Sequence, residues 1–291
     1  MINFKNTKVG FTLLTKGMGI TCIALVNAFF PLNASAKELN LNCINFWTNP
    51  NTGENECFSS QMTLIAEPKP ILPPISSSPS EIYNIGGQPI SVPDPAQYVR
   101  VTPEMDTIQL VHTSAQDPYH NLLASYISKS DEKMALRGEI PTSSKGFYLK
   151  VLNEAENESA TPQDFAKVKN ILKNQNKEAQ DAGKAMLQEI VKESGKSISK
   201  ELGVDLSFNV SEMIPLDSHY ESENVFSYSV YIVSQVSSGG VKQDYVAAGT
   251  VSMVNLSGKI VSLYSYGEKA DLEWTRKASQ AWAEKAIAHN P

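Results

Sequence analysis

Cysteine and histidine are scarce in this chain, with three of one and four of the other among 291 residues. None of the histidines, His112, His120, His219 and His289, stands four residues from another beside an acidic residue, so a helical zinc site is not written here. Two histidines and a carboxylate can be drawn from His112, Asp117 and His120, yet Asp117-Pro118 accounts for that segment as a turn. The pentapeptide G-x-S-x-G does not occur, which removes the nucleophile elbow of an α/β-hydrolase and leaves the serines as solvent-facing strand residues. G-x-G-x-x-G is missing too, and "ESGKS" at 193–197 has Ile190 where a phosphate loop needs its first glycine. The acidic pairs Glu154 with Glu156 and Glu221 with Glu223 read as solvated. No catalytic residue, metal or cofactor is expected. An excess of positive charge is equally lacking: 25 basic against 31 acidic side chains give a net charge of -6, and no nucleic-acid partner is expected.

What is present begins with an export signal. Lys5, Lys8 and Lys16 precede the uncharged "GMGITCIALVNAFFPLNASA", which ends in Ala34-Ser35-Ala36, small residues at the positions a signal peptidase inspects. Residues 1–36 read as a cleaved signal peptide, placing the mature chain in the periplasm or outside the cell; retention as a membrane anchor is the alternative. Cleavage leaves Cys43 and Cys57, an even count in an oxidising compartment, and a disulfide is expected across 37–65. A loop of about 15 residues closed in this way gains roughly 3 kcal/mol in the chain-entropy account. Pro68, Pro70, Pro73, Pro74, Pro79, Pro89, Pro93 and Pro95 then mark 66–96 as an extended linker.

From residue 97 to 291 the texture is that of one α+β domain. "YVRVTP", "TIQLVHTS" and "GFYLKVL" read as strands, and "NLLASYIS" as a further apolar run. Thr161 with Pro162 and Asp164 starts a long amphipathic helix, one or two segments reaching Gly203, with Gly183 and Gly195 as points of bending. Period two returns in "DLSFNVSEMIPLD", "VFSYSVYIVSQV", "YVAAGTVSMVNL" and "KIVSLYSY", the last two joined by the tight turn Ser257-Gly258. The chain closes on a helix with Trp274, Ala278, Ala281, Trp282 and Ile287 along one stripe. An antiparallel sheet covered by the long central helix and the C-terminal helix follows, because half-apolar elements need one another as cover.

The order of elements resembles the PsbP/Mog1-like α+β family over about residues 97–289. The resemblance rests on the helix start "TPQDF", on "NLLASYISKSDEKM" and on "VNLSGKIVSLYSYGEKADLEWTRKASQAWAEKAI". It implies a binding or assembly factor without shared catalytic residues. The function expected is therefore an exported, non-catalytic binding or assembly protein with an envelope protein as partner, docked through Tyr228, Tyr231 and Tyr264 on the outer face of the sheet. The alternatives are an envelope hydrolase built from residues distant in sequence, and a structural or secretion-system component that uses the proline segment as a spacer.

Overall fold

The structure is a computed structural model that describes residues 46–48, 55–57, 80–114, 117–141, 143–174, 177–202, 206–238 and 241–291. Residues Leu32–Ser77 form one compact unit and Ser78–Pro291 belong to a second. In the first, β1 (Phe46–Thr48) pairs antiparallel with β2 (Asn55–Cys57), Phe46 opposite Cys57. Cys43, residues 1–36 and the proline-rich stretch from 66 to 79 lie outside the described residues, and with them the expected signal peptide, its cleavage site and the staple.

The second unit starts earlier than residue 97. β3 (Ser80–Ile85) and β4 (Gln88–Pro93) form a hairpin, so the linker expected over 66–96 is corrected in its second half. The reason is an alternation that the prolines hid: Tyr83, Ile85, Ile90 and Val92 all point inward and are buried, while Gly86 and Gly87, with φ of 54° and 82°, supply the two left-handed residues of a tight turn. Then come β5 (Tyr98–Arg100), α1 (Asp106–Ser114), β6 (His120–Ser128), α2 (Glu132–Ala135) and β7 (Gly146–Leu152). Here "TIQLVHTS" is helix and not strand. Ile108, Val111 and His112 are buried three and four apart, and Asp106 stands in the first turn where the helix dipole favours a carboxylate.

The capping box between Thr161 and Asp164 opens α3 (Pro162–Lys173), as the sequence led us to expect. The helical run then breaks at Asn174 and not at a glycine, and α4 (Lys177–Leu202) carries both Gly183 and Gly195 inside it. Gly195 is there for space: a Cβ on it would lie 2.6 Å from the Phe208 ring. The remaining strands are β8 (Leu206–Pro215), β9 (Tyr220–Glu221), β10 (Val225–Ser238), β11 (Val241–Leu256) and β12 (Lys259–Glu268), followed by α5 (Leu272–Ala288). Ser257 and Gly258, φ of 49° and 85°, make the β11–β12 turn.

The main sheet is antiparallel in the order β5-β6-β7-β12-β11-β10-β8, with β9 also beside β10. One face carries Tyr148, Phe226, Tyr228, Val230, Val251 and Tyr264 and packs on Phe165 and Leu172 of α3 and Leu187, Ile190 and Val191 of α4. The other carries Phe147, Leu149, Val225, Val254, Val261 and Leu263 and is covered by the β3–β4 hairpin together with Trp282, Ala283 and Ala286 of α5. α3 and α4 thus lie on one face of the sheet and α5 on the other. Among the described residues no helix is long and apolar enough to cross a membrane.

Gly195→Ala gains about 1 kcal/mol of helix propensity, but overpacking against Phe208 costs about 1–3 kcal/mol, so a net loss of about 1 kcal/mol is expected in urea unfolding. An unchanged or raised midpoint would mean that the Phe208 ring gives way and that the close approach is not a constraint.

Candidate functional site: buried charges and a hydroxyl ladder

Two groups of polar side chains converge inside the second unit, one on each face of the sheet. The first is ionic. The turn Asp117-Pro118 delivers Asp117 between α1 and β6, where its Oδ1 accepts the backbone N–H of Tyr119 (3.1 Å), that of His120 (2.9 Å) and the His120 Nδ1–H (2.9 Å). Its Oδ2 takes the Lys150 ammonium at 2.9 Å from β7. Lys150 also sits 5.6 Å from the ring of Tyr148 and 5.9 Å from that of Tyr264. His112, on α1, meets Ser125 through Nδ1 at 2.8 Å and packs edge-on against Tyr148.

All of these groups are sealed: Asp117 is 3% exposed, His120 6%, Lys150 1% and His112 3%. Burial pushes the Asp117 carboxyl up, yet the Lys150 ammonium and the His120 hydrogen bond together overcome it and hold the group well below the carboxylate range. Burial lowers His112 to about 3, with the Lys150 charge acting the same way. His120 is lowered by burial, partly offset by Asp117. The net result is one ionised pair between two neutral imidazoles. Removing one partner of such a pair strands the other and costs about 3–5 kcal/mol, which makes this cluster a lock between α1, β6 and β7. As a metal site it fails on its donor set: Lys150 occupies one carboxylate oxygen, His112 is bonded elsewhere, and no three His, Cys, Asp or Glu side chains gather for an ion among the described residues.

The second group corrects the expectation that the serines face solvent. Ser227, Ser229, Thr250, Ser252, Ser265, Thr275 and Ser279 are all buried between the sheet and α5. Ser227 meets Ser252 at 2.6 Å and Ser252 meets Ser279 at 2.7 Å. One row on, Ser229, Thr250 and Thr275 follow one another at 2.9 Å each. A hydroxyl has one proton to give, and that sets the direction of this row. Thr275 gives its proton to the Leu272 carbonyl at 2.8 Å, so Thr250 donates to Thr275 and Ser229 donates to Thr250. Ser229 Oγ is then an acceptor for Arg276 Nε (3.3 Å) and for His219 Nδ1 (3.5 Å). In that order of donors His219 holds its proton on Nδ1, and its buried Nε2 has no hydrogen-bond partner among the described residues. Burial and the Arg276 charge lower this imidazole to about 4.

Ser229 beside His219 is the pair an envelope hydrolase would need, and the proton order runs the wrong way for it. A base must accept the serine proton, whereas this serine gives its proton to Thr250 and is itself fully buried.

The tyrosines separate by parity. Tyr228 and Tyr264 belong to the core under α3 and α4, 9% and 0% exposed, so the outer-face position expected for them is corrected: Tyr228 pairs with Val251 and Tyr264 with Tyr148 on the inward face. Tyr231 projects to the opposite face and is half-buried. Its cross-strand neighbours there are Ile214 on β8, 38% exposed, and Ala248 on β11. The next row holds Val233 and Val246, both half-buried. α5 reaches the row of Thr250 through Thr275 and runs from there toward Ser252, away from Tyr231. A strip of Ile214, Tyr231, Val233 and Val246 thus remains beyond the helix. No local pattern marks this strip, because its extent depends on where α5 begins.

No family model matches the chain, and no curated protein matches it. Among solved structures it is similar to the solution structure of cyanobacterial PsbP (CyanoP) from Synechocystis sp. PCC 6803, at 7% sequence identity and a TM-score of 0.26, over 74% of this chain and 96% of that one. A likeness of that size carries no argument here; the α+β architecture with its antiparallel sheet stands on the strand pairing itself.

His112 has its folded pKa below the unfolded value, so below about pH 6.5 the unfolded chain takes up a proton that the folded one refuses. Stability is lost as the pH falls from 6.5 toward 3, and Asp117, also lowered in the fold, adds loss of the same sign at more acid pH. Replacing His112→Gln keeps a partner for Ser125 and removes the titration. Between pH 6 and pH 5 its stability should fall less steeply than that of the parent, by up to about 1.4 kcal/mol per pH unit. Identical slopes in urea titrations would show that His112 is open to protonation in the fold.

Proposed function

We propose that the chain is an exported, non-catalytic binding or assembly protein that works in the periplasm or outside the cell by docking a protein partner of the envelope. The observation that carries the reading is the strip Ile214, Tyr231, Val233 and Val246, a partly apolar patch on the sheet face that α5 leaves uncovered. Aromatic and aliphatic side chains beside an uncovered sheet edge supply contact area at low entropic cost. Export rests on the Lys-flanked apolar leader that ends in Ala34-Ser35-Ala36, and the PsbP/Mog1-like reading enters only through the order of elements.

The hydrolase alternative is weakened by the same geometry that builds the core. Asp117, His120 and Lys150 satisfy one another, and the hydroxyl of Ser229 is committed to Thr250. The spacer alternative falls on the proline-rich residues up to 79, outside the described part of the chain.

Tyr231→Ala tests the proposal. Partners are captured by mild crosslinking of the exported protein in the envelope, followed by mass spectrometry. A central aromatic contact is worth about 2 kcal/mol, so recovery of the recurrent partner should drop roughly thirtyfold while the thermal midpoint moves by only a few degrees. Undiminished capture, or no recurrent partner from the parent chain, would remove this surface as the site of function.

A further inference from the structure

The β3–β4 hairpin is a two-stranded sheet of its own and shares no ladder with the main sheet among the described residues. Side chains fasten it instead. The Tyr83 and Tyr126 hydroxyls meet at 3.1 Å, Trp282 Nε1 donates to the Pro93 carbonyl at 2.7 Å, and Glu81 pairs with Arg100. Asn290, just past α5, imitates a strand: its Oδ1 accepts the Ser91 N–H at 3.0 Å and its Nδ2 donates to the Ser91 carbonyl at 2.6 Å. Under these bonds Ile85, Ile90 and Val92, each fully buried, fill a seat beside Leu149 and Trp282.

The joint between this hairpin and β5 is Pro93-Asp94-Pro95-Ala96-Gln97. The Tyr98 N–H closes on the Pro95 carbonyl at 3.1 Å, and Gln97 takes φ of 68° at the third position of that turn. A turn with its third residue alone in the left-handed region is type II, which calls for glycine or asparagine there. Glutamine in that region is strained. The prolines add a bias, since each holds the residue before it extended. The joint therefore bends at Gln97, a residue that resists the turn, straight after Asp94, which Pro95 holds extended.

We propose that the hairpin exchanges between two copies of this chain, each copy's β3–β4 seating itself on the other's sheet, with residues 95–97 as the hinge. The partner is a second copy because only that chain offers the same seat: the Asn290 clamp, the Trp282 donor and the Tyr126 hydroxyl. Every contact of the hairpin is remade in the exchanged form, and no ladder bond to the main sheet is broken on the way. What differs is the hinge, which on opening gives up both the strain at Gln97 and the Tyr98 N–H bond to the Pro95 carbonyl, so the balance between forms is set by these two terms and by protein concentration. The exchange is independent of the Tyr231 surface and stands or falls separately.

The test is sedimentation velocity on the full chain from micromolar to millimolar concentration, with three variants. Deleting Ala96 and Gln97 leaves too little chain to turn back, so this variant should be dimeric where the parent is monomeric. Gln97→Gly relieves the strain in each of the two closed chains that a dimer yields and should lower the dimer association constant about 25-fold, about fivefold for each hinge. Asn290→Ala loosens the seat equally in both forms; it should speed the conversion of isolated dimer to monomer and leave the final ratio unchanged. A folded, monomeric deletion variant overturns the proposal. If that variant does not fold by circular dichroism, the parent decides: a dimer that weakens in Gln97→Gly supports exchange, and no dimer at millimolar concentration, or one indifferent to Gln97→Gly, overturns it.

Discussion

Covering the antiparallel sheet on both faces is the constraint from which the rest of the structure follows. A sheet with one wet face can leave its serines to water. Here α5 closes the second face, so Ser227, Ser229, Thr250 and Ser252 have to find partners inside the protein. Thr275 and Ser279 on α5 supply them at hydrogen-bond distance, and the helix position is fixed by hydroxyl matching as well as by the packing of Trp282, Ala283 and Ala286. The opposite face meets the same demand with charge: Lys150 stands among aromatic side chains and is tolerable there because Asp117 is folded in beside it.

This way of closing the core has a functional consequence. The polar groups that would make chemistry in an open cleft are consumed by the fold: the carboxylate accepts four donors, the ammonium has its counter-ion, and the proton of Ser229 points away from its histidine. The strip around Tyr231, past the start of α5, is the part of the sheet where closure stops, and it is the surface on which the proposed docking role rests.

The sequence disclosed those elements whose signals are local. Thr161, Pro162 and Asp164 announced α3, Ser257-Gly258 announced the β11–β12 turn, and period two announced β10, β11 and β12. It misled where a local signal was overruled by distant cover. Prolines at 89 and 93 suggested a linker, but Tyr83, Ile85, Ile90 and Val92 alternate beneath them and find a seat next to Trp282, far along the chain. "TIQLVHTS" satisfies both a strand and a helix pattern, and the helix wins because Ile108, Val111 and His112 then share one buried face. Buried serines could not be distinguished from wet ones until α5 was placed. Lys150, in the middle of "GFYLKVL", has its partner Asp117 in another element. The burial of Tyr228 and Tyr264 follows from the side on which α3 and α4 pack, which no local pattern in their strands records.

The central claim is that the converging titratable groups are sealed in the fold and that function lies on the surface. Titration of the imidazole nitrogens by 15N NMR tests it most directly. The account predicts that His112, His120 and His219 all titrate below the ordinary imidazole range, with His112 near 3 and His219 near 4, and that His219 carries its proton on Nδ1. Titration of any of the three near 6.5, or a His219 protonated on Nε2 with Nδ1 accepting from Ser229, would contradict it and return the hydroxyl ladder to consideration as a catalytic centre.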